Sequence, residues 1–244
     1  MMVIWFVLLI IGSYLLGSMP TGYLVGRWRR GIDIRQYGSG NVGASNVLAL
    51  ISKRWSVAVM LIDIGKGALP VWAAQLIGLG AAPQATVGVA AIVGHNWPVF
   101  LHFQGGRGIF TSLGVITMLS PWLGLIAFVS PYLFFAPFRQ VSMGVVSTMT
   151  ILPICAWFAS GPMGIEEPLP ITLGMLAVLL IATFRRLSVP RSPLSATVST
   201  GELILNRFFF DRDIRDRKTW ISHTRSGADE KEQLDEIDEI IEQG

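Results

Sequence analysis

The chain has 244 residues, of which 52% are hydrophobic and only 14% are charged, and its mean hydropathy is +0.55. Soluble domains carry more charge, so this composition excludes an ordinary soluble domain and indicates a membrane protein. The net charge of +3 is small, and the single cysteine, Cys155, lies in an apolar run, which excludes a disulfide framework and a cysteine-based metal site.

The first apolar run, at 2–25, is predicted to be a membrane-spanning helix, because about 20 apolar residues cross a bilayer. It is too long for a signal-peptide core and is followed by arginines rather than by a small-residue cleavage site. Further spans are predicted at 55–78, 85–103, 109–119, 121–138, 141–160 and 169–184. The stretch 109–138 is divided into a hairpin of two helices, because it is too long for one crossing and contains Ser120-Pro121.

Lysine and arginine fall in alternate connections between these spans, at 27–35, 53–54, 107, 139 and 185–191. The opposite connections, at 79–84, 120 and 161–168, contain no lysine or arginine. Positive charge stays in the cytoplasm, so seven crossings are favoured over six, with the amino terminus outside and the carboxyl terminus inside. The expected fold is an all-α polytopic membrane protein.

Two regions are predicted along the chain, a transmembrane domain at 1–186 and a charged cytoplasmic extension at 187–244. Pro190, Ser192 and Pro193 indicate a linker, and 211–218 alternates in charge sign. The spacing of Leu234, Ile237 and Ile241 predicts a short amphipathic helix at 229–242.

A glycine-rich tract in the first cytoplasmic connection reads Gly38-Ser39-Gly40-Asn41-Val42-Gly43-Ala44-Ser45-Asn46. Glycines let backbone amides approach a ligand closely, and amides near cations form a nest for phosphate oxygens. Ser39, Asn41 and Asn46 add neutral donors, and Arg35 adds a guanidinium fork. The tract lacks the Gly-Lys-Ser/Thr ending of a nucleotide P-loop. A solvated turn between two spans is the alternative.

A second tract, Gly105-Gly106-Arg107-Gly108, lies on the same predicted side of the membrane. Gly108 is expected to open the next helix, whose free amides and dipole favour an anion beside Arg107. His95 is a base, a phosphate donor or a structural histidine that bonds a carbonyl. The sequence contains no cluster with metal-ligand spacing and no Gly-x-Ser-x-Gly elbow, so covalent serine catalysis has no support. Two such tracts on one face predict an enzyme that holds two phosphorylated groups together.

Charged and hydroxyl side chains also occur within the predicted spans. Asp63 and Lys66 share one helix face, and an unpaired charge in hydrocarbon is costly, so they are expected to form a structural ion pair or else to line the site. Ser142, close to the basic turn at Arg139, either donates to a ligand or bonds its own helix backbone.

Several motifs follow one another in order along about 10–185: Gly17-Ser18 with Pro20, Asp33-Ile34-Arg35, the first glycine tract, Leu61-Ile62-Asp63-Ile64 with Lys66-Gly67 and Pro70, Gly94-His95 with Pro98-Val99-Phe100, Gly105-Gly106, and Val141-Ser142. In this order they resemble the bacterial membrane acyl-phosphate:glycerol-3-phosphate acyltransferases of the PlsY type. The ordered set is more specific than either glycine tract alone.

The resemblance implies a seven-helix enzyme of the cell inner or plasma membrane, with its active site facing the cytoplasm and without a metal or cofactor. Such an enzyme moves a fatty acyl group from acyl-phosphate to the 1-hydroxyl of glycerol-3-phosphate, giving lysophosphatidic acid and phosphate in the first step of phospholipid synthesis. The expected partners are these two substrates and membrane lipid, with no nucleic acid, and the protein is expected to be a monomer.

The residues and the resemblance together give the candidate site. The catalytic candidates are Ser39, Arg107 and His95. The substrate-binding candidates are Arg35, Gly40, Asn41, Gly43, Asn46, Gly105, Gly106, Gly108, Ser142 and Arg186. By resemblance, Ser39 and the amides that follow it would hold the acyl-phosphate head, and Ser142 would lie near glycerol-3-phosphate.

The chain departs from the family pattern after its last span, where the family has an Arg-His-Arg-Glu-Asn run. The corresponding stretch, Phe184-Arg185-Arg186-Leu187-Ser188-Val189-Pro190, lacks the histidine and the asparagine that would orient the glycerol hydroxyl. Gln104 and Arg107 stand where the family has lysines. Two alternatives therefore stay open: a diverged paralogue with another acceptor or no activity, and an anion transporter, since glycine-broken helices with cations also form transport sites.

Overall fold

The computed structural model describes residues 2–189 and 191–220, and the regular structure in this part of the chain is entirely helical. The predicted all-α class is therefore confirmed, whereas the helix predicted at 229–242 lies outside the described residues. Ten α-helices follow one another in the described part: α1 (Met2–Gly17), α2 (Thr21–Arg30), α3 (Ala44–Leu50), α4 (Lys53–Leu76), α5 (Ala81–Asn96), α6 (Ile109–Leu119), α7 (Pro121–Phe135), α8 (Val141–Phe158), α9 (Pro168–Leu187) and α10 (Thr200–Phe210).

Four of the described helical segments are long and apolar enough to cross a bilayer: Met2–Arg30, taken through the break between α1 and α2, and α4, α8 and α9. The shorter apolar helices α6 and α7 are joined at Ser120, which confirms the predicted hairpin of two helices. Large apolar side chains such as Trp5, Leu61 and Leu180 are more than half exposed. Apolar surface of this extent is typical of a lipid-facing protein. The count of seven crossings stays a prediction.

The first predicted span is wrong in one respect, because the helix expected over 2–25 is interrupted between α1 and α2. Pro20 lacks an N–H and cannot continue the hydrogen-bond ladder. The carbonyl oxygen of Met19 instead accepts a hydrogen bond from Nζ of Lys66 (2.6 Å). Lys66 also pairs with Asp63 (2.7 Å), and both side chains are buried. The predicted structural ion pair is thus confirmed, and it ties the break to α4.

The third predicted span, 85–103, is wrong at both ends, since α5 begins at Ala81 and ends at Asn96. Pro98 disfavours helical backbone at the residue before it, and Trp97 has φ −130° and ψ 69°. A short 3₁₀ turn at Val99–Leu101 then leads into the second glycine tract. His95 therefore lies in the last turn of α5, and the second glycine tract packs against this turn.

The helices α4 and α6 cross at glycines. A Cβ atom at Gly67 would lie 2.0 Å from the carbonyl oxygen of Thr111, and one at Gly114 would lie 2.0 Å from that of Ile64. Small residues at such crossings allow the close backbone approach that drives helix association in membranes. This crossing sets the position of the start of α6, and with it that of Arg107.

An apolar cluster lies under the first glycine tract, where Ile34, Val42, Val47 and Leu101 are buried. Because Leu101 belongs to the turn before the second tract, the same cluster supports both tracts. The helix α10 packs against α8 and α9. The described part of the extension therefore folds back onto the transmembrane helices.

Candidate active site

A cavity of about 570 Å³ lies where the two glycine tracts meet the end of α9. Its lining comes from three parts of the chain: 35–41, 103–107 and 185–220. Ser39 and Arg107 both line it, so the two tracts share one cavity. The prediction that both tracts lie on one face of the protein is confirmed.

Most of the predicted site residues line this cavity, namely Ser39, Arg107, Arg35, Gly40, Asn41, Gly105, Gly106 and Arg186. Four others, His95, Gly43, Asn46 and Gly108, are not part of the lining, and Ser142 lines a second, smaller cavity.

The first tract is shaped by Asn46, which is buried beneath it. Its Nδ2 donates to the carbonyl oxygens of Ile34 (3.0 Å) and Tyr37 (3.1 Å), and its Oδ1 accepts from the N–H of Ser39 (3.1 Å). Gly38, with φ of 60°, adopts a left-handed backbone that glycine accommodates without strain. Asn46 therefore holds Ser39 in place from behind, and its amide is occupied by the tract itself.

The second tract packs directly on the end of α5. The N–H of Gly106 donates to the carbonyl oxygen of His95 (3.1 Å), and a Cβ at Gly106 would lie 2.2 Å from Nε2 of the same histidine. The buried His95 ring lies on its other side 3.8 Å from Asp63, measured from Nδ1 to Oδ1. His95 thus connects the Asp63–Lys66 pair to the tract that carries Arg107.

Positive charge dominates the cavity, whose lining contains seven arginines and two aspartates among the described residues. Five of these arginines have partners. Arg35 pairs with Asp33 (2.6 Å), Arg107 with Asp211, and Arg207 with Asp213 (2.7 Å). Arg185 donates to the carbonyl oxygens of Gly105 (2.8 Å) and Gly106 (3.0 Å), and Arg186 donates to that of Phe208 (2.8 Å). The excess of arginine suits the cavity to an anion that carries more than one charge.

Two aspartates near the cavity are held in their charged form. The hydrogen bonds from Arg35 lower the pKa of Asp33. Burial alone would raise the pKa of Asp213, but hydrogen bonds from Arg207 and Ser192 outweigh it, so that the pKa lies below its usual value. Both ion pairs are therefore fully formed at neutral pH, and they would be lost only as the pH falls through these lowered pKa values.

The second cavity, of about 240 Å³, lies between α6, α7 and α8. Its walls are mainly apolar and include Leu113, Phe128, Tyr132 and Met149. Ser142 lies in its lining, with a buried hydroxyl that has no hydrogen-bond partner within the described residues.

The two cavities adjoin at Arg186 and Asp211, which line both. A mainly apolar crevice thus ends at an arginine-rich cavity. This arrangement matches a molecule with a hydrocarbon chain and an anionic head.

Sequence reasoning missed the contribution of the extension. Arg191, Arg207, Asp211, Arg212 and Asp213 line the cavity, yet no site role was predicted for them. Alternating charge, as in 211–218, is typical of a solvated surface and gave no signal of burial. Among the residues that the structure describes, no group of three or more His, Cys, Asp or Glu is arranged to hold a metal ion.

Comparison with known proteins gives a consistent result. The glycerol-3-phosphate acyltransferase family matches residues 7–189. Glycerol-3-phosphate acyltransferase 4 of Dehalococcoides mccartyi (strain CBDB1) is 47% identical over 229 residues, which cover 94% of this chain and 97% of that relative. The glycerol-3-phosphate acyltransferase of Prochlorococcus marinus (strain NATL1A) is 38% identical over 184 residues, covering 75% of this chain and 92% of the relative.

A solved structure also matches. The crystal structure of PlsY (YgiH), an integral membrane glycerol 3-phosphate acyltransferase, in its glycerol 3-phosphate form has a TM-score of 0.67 and 30% identity, covering 74% of this chain and 88% of that one. Its lysophosphatidic acid form gives a TM-score of 0.66. The fold, the cavity and these relatives define an integral membrane acyltransferase of phospholipid synthesis.

This chain belongs to the glycerol-3-phosphate acyltransferase family of the PlsY type. The transporter alternative finds no support in these relatives. The family match ends at residue 189. The match with the Dehalococcoides relative is longer, at 229 residues or 94% of this chain, so it includes at least part of 190–220.

Proposed function

We propose that this enzyme transfers a fatty acyl group from acyl-phosphate to the 1-hydroxyl of glycerol-3-phosphate. The observation that carries the proposal is that Ser39 and Arg107, from two separate glycine tracts, line one arginine-rich cavity. Two phosphorylated substrates need such a cavity, because their negative charges repel each other unless cations separate them. The glycerol 3-phosphate and lysophosphatidic acid forms of the PlsY structure lend further support.

The donor is proposed to occupy both cavities. Its acyl chain lies in the apolar crevice between α6, α7 and α8, and its phosphate lies near Ser39, Gly40 and Arg107. The continuity of the two cavities at Arg186 and Asp211 supports this placement. The acyl carbon then lies at the junction, where an acceptor hydroxyl from the larger cavity can reach it.

The chemistry is acyl transfer from a mixed anhydride. The acceptor hydroxyl oxygen forms a bond to the acyl carbon, and the bond from that carbon to the phosphate oxygen breaks, with phosphate leaving with the electron pair. The hydroxyl proton goes to a phosphate oxygen, so the products are lysophosphatidic acid and inorganic phosphate. Because phosphate is a good leaving group, positioning and charge neutralisation supply most of the acceleration.

His95 and Asn46 are proposed to position the site rather than to touch the substrates. His95 packs against Gly106, and Asn46 holds the N–H of Ser39. Because the acceptor's proton is proposed to go to the substrate's phosphate, the reaction needs no protein base, and a positioning role for His95 is sufficient.

We further propose that the site faces the cytoplasm in a seven-span chain of the inner or plasma membrane. The distribution of lysine and arginine supports this orientation. The enzyme is also proposed to act as a monomer.

Phosphate release by the purified full-length protein in detergent tests the proposal. With acyl-phosphate and glycerol-3-phosphate together, the wild type should release phosphate and form lysophosphatidic acid. Arg107→Ala should lower kcat/KM by about 100-fold, since it removes a charge-assisted contact to the reacting phosphate. Arg107→Lys should retain most of the activity, because lysine also presents a cation.

Other phosphorylated acceptors, supplied with the same acyl-phosphate, test the specificity. Turnover with another acceptor but not with glycerol-3-phosphate would replace the acceptor in the proposal. No turnover with any of them, for a protein that is folded by thermal unfolding, would contradict it.

A further inference from the structure

The described part of the extension forms one wall of the cavity and is firmly anchored there. Arg207 donates to the carbonyl oxygens of Leu187 (3.1 Å) and Val189 (2.6 Å) and to the carboxylate of Asp213 (2.7 Å). The same carboxylate accepts from the N–H (2.9 Å) and the hydroxyl (2.6 Å) of Ser192. The backbone between α10 and Asp213 is therefore held in a fixed place beside the cavity.

Arg212 lies in this fixed segment and lines the cavity, with only 9% of its surface exposed. Within residues 2–189 and 191–220, its Nε has no hydrogen-bond partner and its guanidinium forms no ion pair. The face of the Phe210 ring lies 5.2 Å from the guanidinium carbon and supports the side chain. A cation buried to this degree is unfavourable unless an anion compensates it.

The other arginines of the cavity do not offer the same contact. Five of them already have an aspartate or a backbone carbonyl as a partner. Arg191 forms no hydrogen bond or ion pair with the described residues, but its side chain is exposed. The cavity arginines without a hydrogen bond or ion pair to a described residue thus come from the extension. Arg212 is the buried one, and Asp216 acts on it only electrostatically, from beyond ion-pair distance.

The acceptor needs such a cation more than the donor does. The proposed donor is held by its hydrocarbon chain and by the first tract. Glycerol-3-phosphate is small and water-soluble, and its phosphate is its only charged group.

We propose that Arg212, with Arg191 at the cavity mouth, binds the phosphate of the acceptor, so that the extension completes the acceptor site. This inference rests on the proposed function. A planar guanidinium can donate two parallel hydrogen bonds to a phosphate, which a lysine cannot reproduce.

Steady-state kinetics with Arg212→Gln tests the inference. We expect its KM for glycerol-3-phosphate to rise about tenfold or more, because a charge-assisted fork is lost, while its KM for acyl-phosphate and its kcat change by less than about twofold. Arg212→Lys should lie between this variant and the wild type.

Arg215→Gln is the matched control. Arg215 lies in the same segment, and its guanidinium carbon is 5.9 Å from the same Phe210 ring, but it is exposed and does not line the cavity. It should behave as the wild type. An equal effect of Arg215→Gln, an equal rise of both KM values in Arg212→Gln, or no change in either would overturn the inference.

Thermal unfolding in detergent separates the remaining outcomes. If Arg212→Gln does not fold, the charge-conserving Arg212→Lys gives the test, and a KM for glycerol-3-phosphate equal to that of the wild type overturns the inference. If the wild type releases no phosphate, the proposed function fails first. A rise of the unfolding midpoint with glycerol-3-phosphate, present in the wild type and Arg215→Gln and absent in Arg212→Gln, would then still support the inference, and its absence from all three would overturn it.

Discussion

Asp211 pairs with Arg107, the residue that is proposed to bind a substrate phosphate. It ends α10 with a left-handed backbone (φ 59°), and its carboxylate pairs with the Arg107 guanidinium inside the cavity. An internal anion of this kind must be displaced before a phosphate can bind Arg107. With the donor phosphate at Arg107, as proposed, the contact is expected to lower the apparent affinity for that substrate.

Asp211→Asn should lower the KM for the substrate that binds Arg107 by about fivefold, since a partly exposed ion pair is worth about 1 kcal/mol. Asparagine tolerates the left-handed backbone, so the end of α10 should be preserved. The measurement is KM for each substrate in the phosphate-release assay. Glu202→Gln, an exposed change in the same helix, should leave both values unchanged. A fall in kcat of about 100-fold in Asp211→Asn would instead show that the carboxylate takes part in proton transfer.

Residue types predicted which segments meet at the cavity, but they did not predict which polar side chains face it. Ser39 and Arg107 line the cavity, whereas Asn46 and His95 do not, although all four were predicted to be site residues. Sequence spacing does not tell whether a polar side chain faces a ligand or satisfies the backbone of its own loop. The carbonyls that bind Asn46 become its partners only once the tract has folded.

Among the elements, the α4–α6 crossing offers a direct test of the packing. Gly67 and Gly65 lie on the same helix, but only Gly67 contacts the α6 backbone, and a Cβ at Gly65 would meet nothing within 4 Å. Gly67→Ala should destabilise the protein by about 1–3 kcal/mol, because the added methyl group forces the two helices apart. Gly65→Ala should change the stability by less than about 1 kcal/mol. The comparison is made by thermal unfolding in detergent, and equal midpoints for the two variants would contradict this account of the crossing.

Element boundaries were predictable where proline and charge mark them. Pro121 begins α7 as expected. The positions of lysine and arginine correctly predicted that the two glycine tracts lie on one side of the protein. The break at Pro20 was missed because the apolar run continues across it, and the Lys66 contact that compensates the break comes from another helix. The course of α10 was missed for the same reason, since its packing on α8 and α9 depends on residues distant in sequence.

For the whole molecule, the orientation in the membrane can be tested with single cysteines. In a Cys155→Ser background, Gly161→Cys should react with a membrane-impermeant maleimide added outside intact spheroplasts. Arg29→Cys should react only after the membrane is permeabilised, because the cluster of arginines at the end of α2 is predicted to be cytoplasmic. Both positions are exposed in the structure. Labelling of Arg29→Cys from outside, with Gly161→Cys protected, would reverse the orientation and place the cavity on the other side.

The crevice between α6, α7 and α8 has a consequence for how the acyl donor reaches the enzyme. Phe128 and Tyr132 line it and are about half exposed, from which we infer that it opens sideways between the helices. With the donor's chain there, as proposed, we expect the donor to arrive by lateral diffusion within one leaflet and the acylated product to leave by the same route without crossing water. The supply of donor is then set by its density in the plane of the bilayer rather than by its amount per volume of cytosol, and dilution by other lipids slows the enzyme even when total donor is constant.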